Sequence, residues 1–249
     1  MERREMLRHC LLVLGVSVAG PVSAFDLGRA LGAAKSFTDA ATVDDGELIA
    51  YYSQMSQEMD AGNVVAAADS PYGKRLAKLT RGLESHDGLD LNFKVYLTED
   101  VNAFAMGDGT VRLYSGLMDM MSDDEVRYVI GHEIGHIKAG HSKKRMQMAL
   151  ATGGLRQAVA ASGGDARKLA DSQLGALFEN VVKSQHSQSN ENEADDYAMG
   201  FLRSHGYDRQ AAVSALEKLD KLSGGGGGGW LSTHPAPAAR AARMRTQLG

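Results

Sequence analysis

Residues 132–136 read His132-Glu133-Ile134-Gly135-His136, an H-E-x-x-H pattern. On a helix, four residues advance the chain by about 6 Å, a little over one turn. Both imidazoles then leave the same face and reach one metal ion. Glu133, one step from the first histidine, lies beside that ion, where a base takes a proton from a metal-activated water. Two imidazoles do not close such a site, because catalytic zinc takes a third protein ligand and keeps one position open. An acidic run, Asn190-Glu191-Asn192-Glu193-Ala194-Asp195-Asp196, follows about 55 residues later. Glu191 and Asp195 are one turn apart on a helix face. One can be the ligand while the other holds a ligand imidazole by its free N–H. Glu193 projects about 200° away from Glu191, so only one of those two can face the metal. The competing readings are a histidine pair on an ordinary helix and an acidic helix start that complements the dipole. The two patterns together favour a site.

The elements that must position these residues are legible in outline. Ser122-Asp123-Asp124-Glu125 is a capping box, and Val126, Val129, Ile130, Ile134 and Ile137 form the apolar face of the helix it opens. The acidic run opens a second helix over 190–204 with Gly206 as its stop. Residues 91–97 alternate as a strand. Residues 102–106 and 110–114 flank Gly107-Asp108-Gly109 as a β-hairpin. Further helices are predicted over 44–59, from Ser70-Pro71 to a stop at Asp87-Gly88, over 166–183, from Asp208 to Leu222, and from Pro237 to Leu248. Helices, then a small antiparallel sheet beside the H-E-x-x-H helix, then helices make an α+β fold. Six consecutive glycines, 224–229, form a flexible loop inside this single domain of residues 25–249.

Composition bounds the rest. With 27 Lys and Arg against 31 Asp and Glu, the net charge of −4 offers no clustered basic face for nucleic acid. The single Cys rules out an internal disulfide framework and a cysteine-based zinc cluster. Arg3, Arg4 and Arg8 precede an apolar stretch over 11–20 and small residues ending at Ala24, the pattern of a secretory signal cleaved after Ala24. A lipid anchor needs a Cys just after the apolar run, and Cys10 lies before it, so a lipoprotein is not expected. No apolar run is long enough to span a bilayer. The expected location is therefore the periplasm, with no transmembrane helix in the mature chain and peripheral membrane contact left open.

These motifs resemble the HtpX-like gluzincin zinc metalloprotease family, whose members include periplasmic, mitochondrial Oma-type and prenyl-protein proteases. The resemblance runs from Leu91 to the end. It rests on Asn102-Ala103-Phe104 before the hairpin, Ser115-Gly116-Leu117, Gly131 to His136 with His141 beyond, Ser187 to Asp195, and Ser232-Thr233-His234-Pro235 followed by Arg240. It implies a zincin fold with one Zn2+ per chain. His132, His136 and Glu191 are then the ligands, Glu133 the general base, and Asp195 the partner of a ligand. Glu193 becomes a bystander. Asn102, Ala103 and Phe104 become the strand that receives a peptide. The implied activity is hydrolysis of peptide bonds in misfolded envelope proteins, as protein quality control. A catalytically weak or autoinhibited zincin acting as a periplasmic chaperone or assembly factor is the alternative. His234 is ambiguous between an oxyanion donor, a ligand that plugs the open position, and a capping residue. His141, about 140° off the ligand face, reads as structural. His86, His186 and His205 carry no usable pattern. Gln188 stands where the family has Arg.

Overall fold

The computed structural model describes residues 45–152, 181–222 and 229–248. The expected signal segment, nearly all of the helix expected over 166–183 and residues 224–228 of the glycine run lie outside the described residues. The elements are α1 (Asp45–Gly62), α2 (Pro71–Leu79), β1 (Ser85–His86), β2 (Leu89–Asp90), β3 (Asn92–Tyr96), β4 (Ala103–Ala105), β5 (Thr110–Tyr114), α3 (Ser115–Met120), α4 (Asp123–Lys138), α5 (His141–Thr152), α6 (Gln188–Ser204), α7 (Gln210–Leu222), α8 (Trp230–Thr233) and α9 (Pro237–Thr246).

The start of α2 is as its sequence dictates. The Ser70 hydroxyl accepts from the Gly73 N–H, and Pro71 occupies the first turn. Its end is not. The helix stops at Leu79, and Asp87-Gly88 forms the turn of the β1–β2 hairpin. Both residues have positive φ, 54° and 79°, which a two-residue hairpin turn of the primed type requires and which an Asp-Gly pair supplies.

The sheet also departs from expectation: it is mixed, not antiparallel. The order is β3-β5-β4, with β4 antiparallel to β5 as predicted and β3 parallel to β5, Asn92 opposite Thr110 through Tyr96 opposite Tyr114. The cause is topological. After β3 the chain crosses to the far edge before turning into β4, so the hairpin return β5 slots between the two and runs with β3. The Arg112 side chain on this central strand is nearly wholly buried and is tied to Asp60 of α1, which also binds Lys94 and Tyr96.

Helix α4 is the hub. Ser122 and Glu125 form the predicted capping box. Val126, Val129, Ile130 and Ile134 are fully buried in the main core with the sheet, α6 and α7. A Cβ added at Gly131 would come within 2.9 Å of Phe201, and one at Gly135 within 3.0 Å of the Ala194 Cα. These two glycines let α6 lie close against α4, which brings the acidic run to the two histidines. Strand β4 packs along α4 on another side. Helix α9 closes the assembly against α6 and α7.

Candidate metal centre

His132, His136, Glu191 and His234 each offer a ligand atom within 4.8 Å of the others, and all four are buried. The Nε2 atoms of His132 and His136 are 3.0 Å apart. Glu191 places Oε2 3.7 Å from the first and Oε1 3.4 Å from the second. The helical spacing read from the sequence is the reason the imidazoles converge, and the glycine-mediated approach of α6 is the reason Glu191 reaches them.

Each member of the cluster is held from behind. His132 Nδ1 lies 2.9 Å from Asp195 Oδ1, and the Tyr128 hydroxyl donates to the same oxygen at 2.7 Å. Arg240 donates to both Asp195 oxygens, at 2.9 and 2.7 Å, and to Glu191 Oε2. An Arg240 nitrogen also lies 3.3 Å from His132 Nδ1, but that nitrogen is already committed to Asp195 at the shorter distance. His132 Nδ1–H therefore donates to Asp195, and its Nε2 lone pair faces the cluster. Asp195 thus stands behind His132, and Glu191 is the carboxylate that meets the imidazoles.

Glu133 lies beside the cluster. The Trp230 indole N–H donates to its Oε1 at 3.3 Å, and the Ala105 backbone N–H at the β4 edge bonds its carboxylate. His234 Nε2 is also 3.3 Å from Oε1, though not aligned for a hydrogen bond. Burial pushes the Glu133 carboxyl up to about 7, with the Trp230 bond opposing. Burial likewise pushes Glu191 up to about 8 against the pull of Arg240. Burial would raise Asp195 too, but Arg240 and His132 outweigh it and hold that carboxyl well below its usual range. His132 falls to about 4 and His136 well below its ordinary value, chiefly through burial, so both stay neutral near pH 7 and able to ligate.

The donor set suits a metal ion. Glu191 Oε1 and His234 Nε2 are buried without a hydrogen-bond partner among the described residues. Such atoms lose their water on folding and gain nothing in return unless a cation meets them. Two neutral imidazoles and a carboxylate are a set that catalytic zinc takes. His234 offers a fourth donor to the same cluster.

The cover over the site is short. Trp230 N–H donates to Val101 O and His186 N–H to Thr233 O, both at 2.9 Å, which fastens α8 over the cluster. Trp230 is wholly buried, its ring 4.3 Å from that of His234, with the Arg240 guanidinium over its other part at 4.9 Å.

Five residues were misjudged or missed from sequence. His141 is not remote: its Nδ1 lies 3.0 Å from His136 Nδ1. The 140° argument assumed a continuous helix, whereas α4 ends at Lys138 and Gly140, at φ 69°, turns the chain back so that His141 opens α5. Glu193 is no bystander, since its Oε2 lies 3.3 Å from His141 Nε2. His186 stacks on His136 with ring centroids 3.8 Å apart. Tyr128 had a usable signal, standing one turn before His132 on the same face. Trp230 had none. His86 and His205 sit together elsewhere, beside Phe201. Of the stretch around Asn102, Ala103 and Phe104, it is the neighbours Val101 and Ala105 that touch the site, through Trp230 and Glu133. The pairings 102/114 and 106/110 make 104/112 a hydrogen-bonded pair as well, so the outward backbone groups are those of Ala103 and Ala105 rather than Phe104.

Comparison with known proteins agrees with this geometry. Residues 74–248 match the model of peptidase family M48. The chain is 42% identical over 241 residues to metalloprotease LoiP of Escherichia coli, covering 95% of this chain and 96% of that one. It is 41% identical over 224 residues to metalloprotease YcaL of the same organism, covering 90% and 88%. The β-barrel assembly-enhancing protease of E. coli is 31% identical over 167 residues, 63% of this chain and 34% of that one. With the buried histidine–glutamate cluster inside the matched region, a mostly helical fold of zincin type around it and two full-length metalloprotease relatives, the chain belongs to peptidase family M48 and is a metalloendopeptidase.

Proposed function

We propose that this enzyme is a zinc-dependent endopeptidase of the bacterial cell envelope, exported to the periplasm by residues 1–24 and acting in protein quality control. The observation that carries the catalytic reading is the convergence of His132, His136 and Glu191 with Glu133 alongside. His132, His136 and Glu191 would hold the ion. Bound there, zinc supplies Lewis acidity and brings the pKa of a water from about 15.7 toward 7. Glu133, raised toward neutrality by burial, takes a proton from the attacking water and returns it to the leaving amine. Asp195 and Arg240 keep His132 and Glu191 in place throughout. The substrate lies along β4 as an added strand, using the outward carbonyl of Ala103 on the edge where the Ala105 N–H meets Glu133. The name of the β-barrel assembly-enhancing relative supports a role toward envelope proteins. Among the described residues no helix is long and apolar enough to cross a membrane.

A second reading, an autoinhibited zincin serving as a chaperone or assembly factor, is favoured by one observation: His234 stands in the donor set itself. Zinc content measured on the purified chain, together with casein cleavage with and without a chelator and in Glu133→Gln, tests both. One zinc per chain with chelator-sensitive cleavage lost in Glu133→Gln supports the protease. Stoichiometric zinc without cleavage favours the second reading, and no zinc overturns both.

A further inference from the structure

The two imidazoles of the H-E-x-x-H pair are held by different devices. Behind His132 stands a carboxylate, Asp195. Behind His136 stands a second histidine, His141, and behind that Glu193. The proton inventory of this chain has one consistent solution. A carboxylate can only accept, so His141 Nε2 must carry the hydrogen that meets Glu193 Oε2 at 3.3 Å. Neutral His141 then has a bare Nδ1. The neighbouring atom, His136 Nδ1 at 3.0 Å, must therefore be the donor. Neutral His136 is left with its lone pair on Nε2, directed at Glu191 and at the Nε2 of His132.

Stacking alone would not achieve this. His186 lies nearly parallel to the His136 ring, 25° off at 3.8 Å, and fixes its plane. A ring clamped in its plane can still turn over by half a revolution, exchanging nitrogen for carbon at the metal-facing corner. The hydrogen bond to His141 forbids that turn. His141 is itself 2% exposed and is set in place by the corner at Gly140. Glu193 is the outer end, with its side chain 63% exposed.

We propose that His141 and Glu193 are positioning residues that fix the tautomer and orientation of His136, and that they set the metal affinity of the centre without touching the ion. This rests on the metal-centre reading above. The test is the zinc dissociation constant of the full chain, by competition with a chelating dye, alongside urea unfolding of the metal-free proteins. His141→Leu removes the acceptor and is expected to weaken zinc binding by about ten- to a hundredfold. His141→Asn presents Oδ1 where Nδ1 stood and should recover most of that loss. Glu193→Ala, at an exposed position that leaves the fold untouched, should weaken zinc at the low end, by about tenfold. Unchanged zinc affinity in either Glu193→Ala or His141→Leu, or equal losses in the Leu and Asn variants, would overturn the relay. If His141→Leu does not fold, Glu193→Ala and His141→Asn decide it, and wild-type affinity in Glu193→Ala overturns it. Failure of the unsubstituted chain to take up zinc would remove the metal centre, and the relay with it.

Discussion

His234 Nε2 lies 3.3 Å from Glu133 Oε1 while belonging to the same four-donor cluster as His132, His136 and Glu191. One imidazole thus stands both against the proposed base and within the proposed donor set. The His234→Ala variant is therefore expected to turn over a small fluorogenic peptide severalfold faster than the parent, with zinc retained. A fall in kcat at unchanged KM would instead make His234 the donor to the oxyanion.

Glu133 contacts the cluster without joining it. Glu133→Gln keeps the size and the acceptor for the Trp230 indole but cannot take a proton. Peptidase activity should drop by about 10²- to 10⁴-fold, with zinc content at the parent level. Turnover that survives the substitution would exclude Glu133 as the base.

Arg240 is wholly buried between Asp195 and Glu191. Replacing it with Met leaves two carboxylates facing one another without a cation. The metal-free variant should lose about 3–5 kcal/mol in urea unfolding, and saturating zinc should recover part of this. A change below about 1 kcal/mol would mean that the carboxylates find another partner or protonate freely.

Gly135→Ala tests the helix contact. In an exposed helix this exchange stabilises by about 1 kcal/mol. Here the new Cβ would meet the Ala194 Cα at 3.0 Å and the Tyr197 Cβ at 3.1 Å. The expected result is a destabilisation of about 1–3 kcal/mol together with weaker zinc, because α6 carries Glu191 away from α4. A rise in unfolding midpoint would refute it.

Asp60 sets an acid limit away from the metal centre. Burial alone would raise its pKa, but the bonds from Arg112, Lys94 and Tyr96 outweigh it and lower the carboxyl to about 2 from 3.8. A depressed carboxylate contributes stability above its unfolded value and loses it as pH falls through the folded one. Urea midpoints should therefore decline between about pH 4 and about pH 2, with a shallower decline in Asp60→Asn. Identical profiles would show that the ion pair contributes nothing.

The residues whose spacing is local were legible in the sequence. Periodicity and capping located α4 and α6, and four-residue steps paired His132 with His136 and Glu191 with Asp195, because a helix turns local spacing into direction. What depended on chain reversals was not. The corner at Gly140 returned His141 to the ring it seemed to face away from, and the crossing between β3 and β4 made the sheet mixed. Trp230 follows a run of identical glycines, which gives no periodicity from which its burial against Glu133 could be inferred.

Two backbone hydrogen bonds, Trp230 to Val101 and His186 to Thr233, clasp the lid segment onto the reactive carboxylate. On the protease reading proposed above, a polypeptide reaches Glu133 from this side only where that clasp yields.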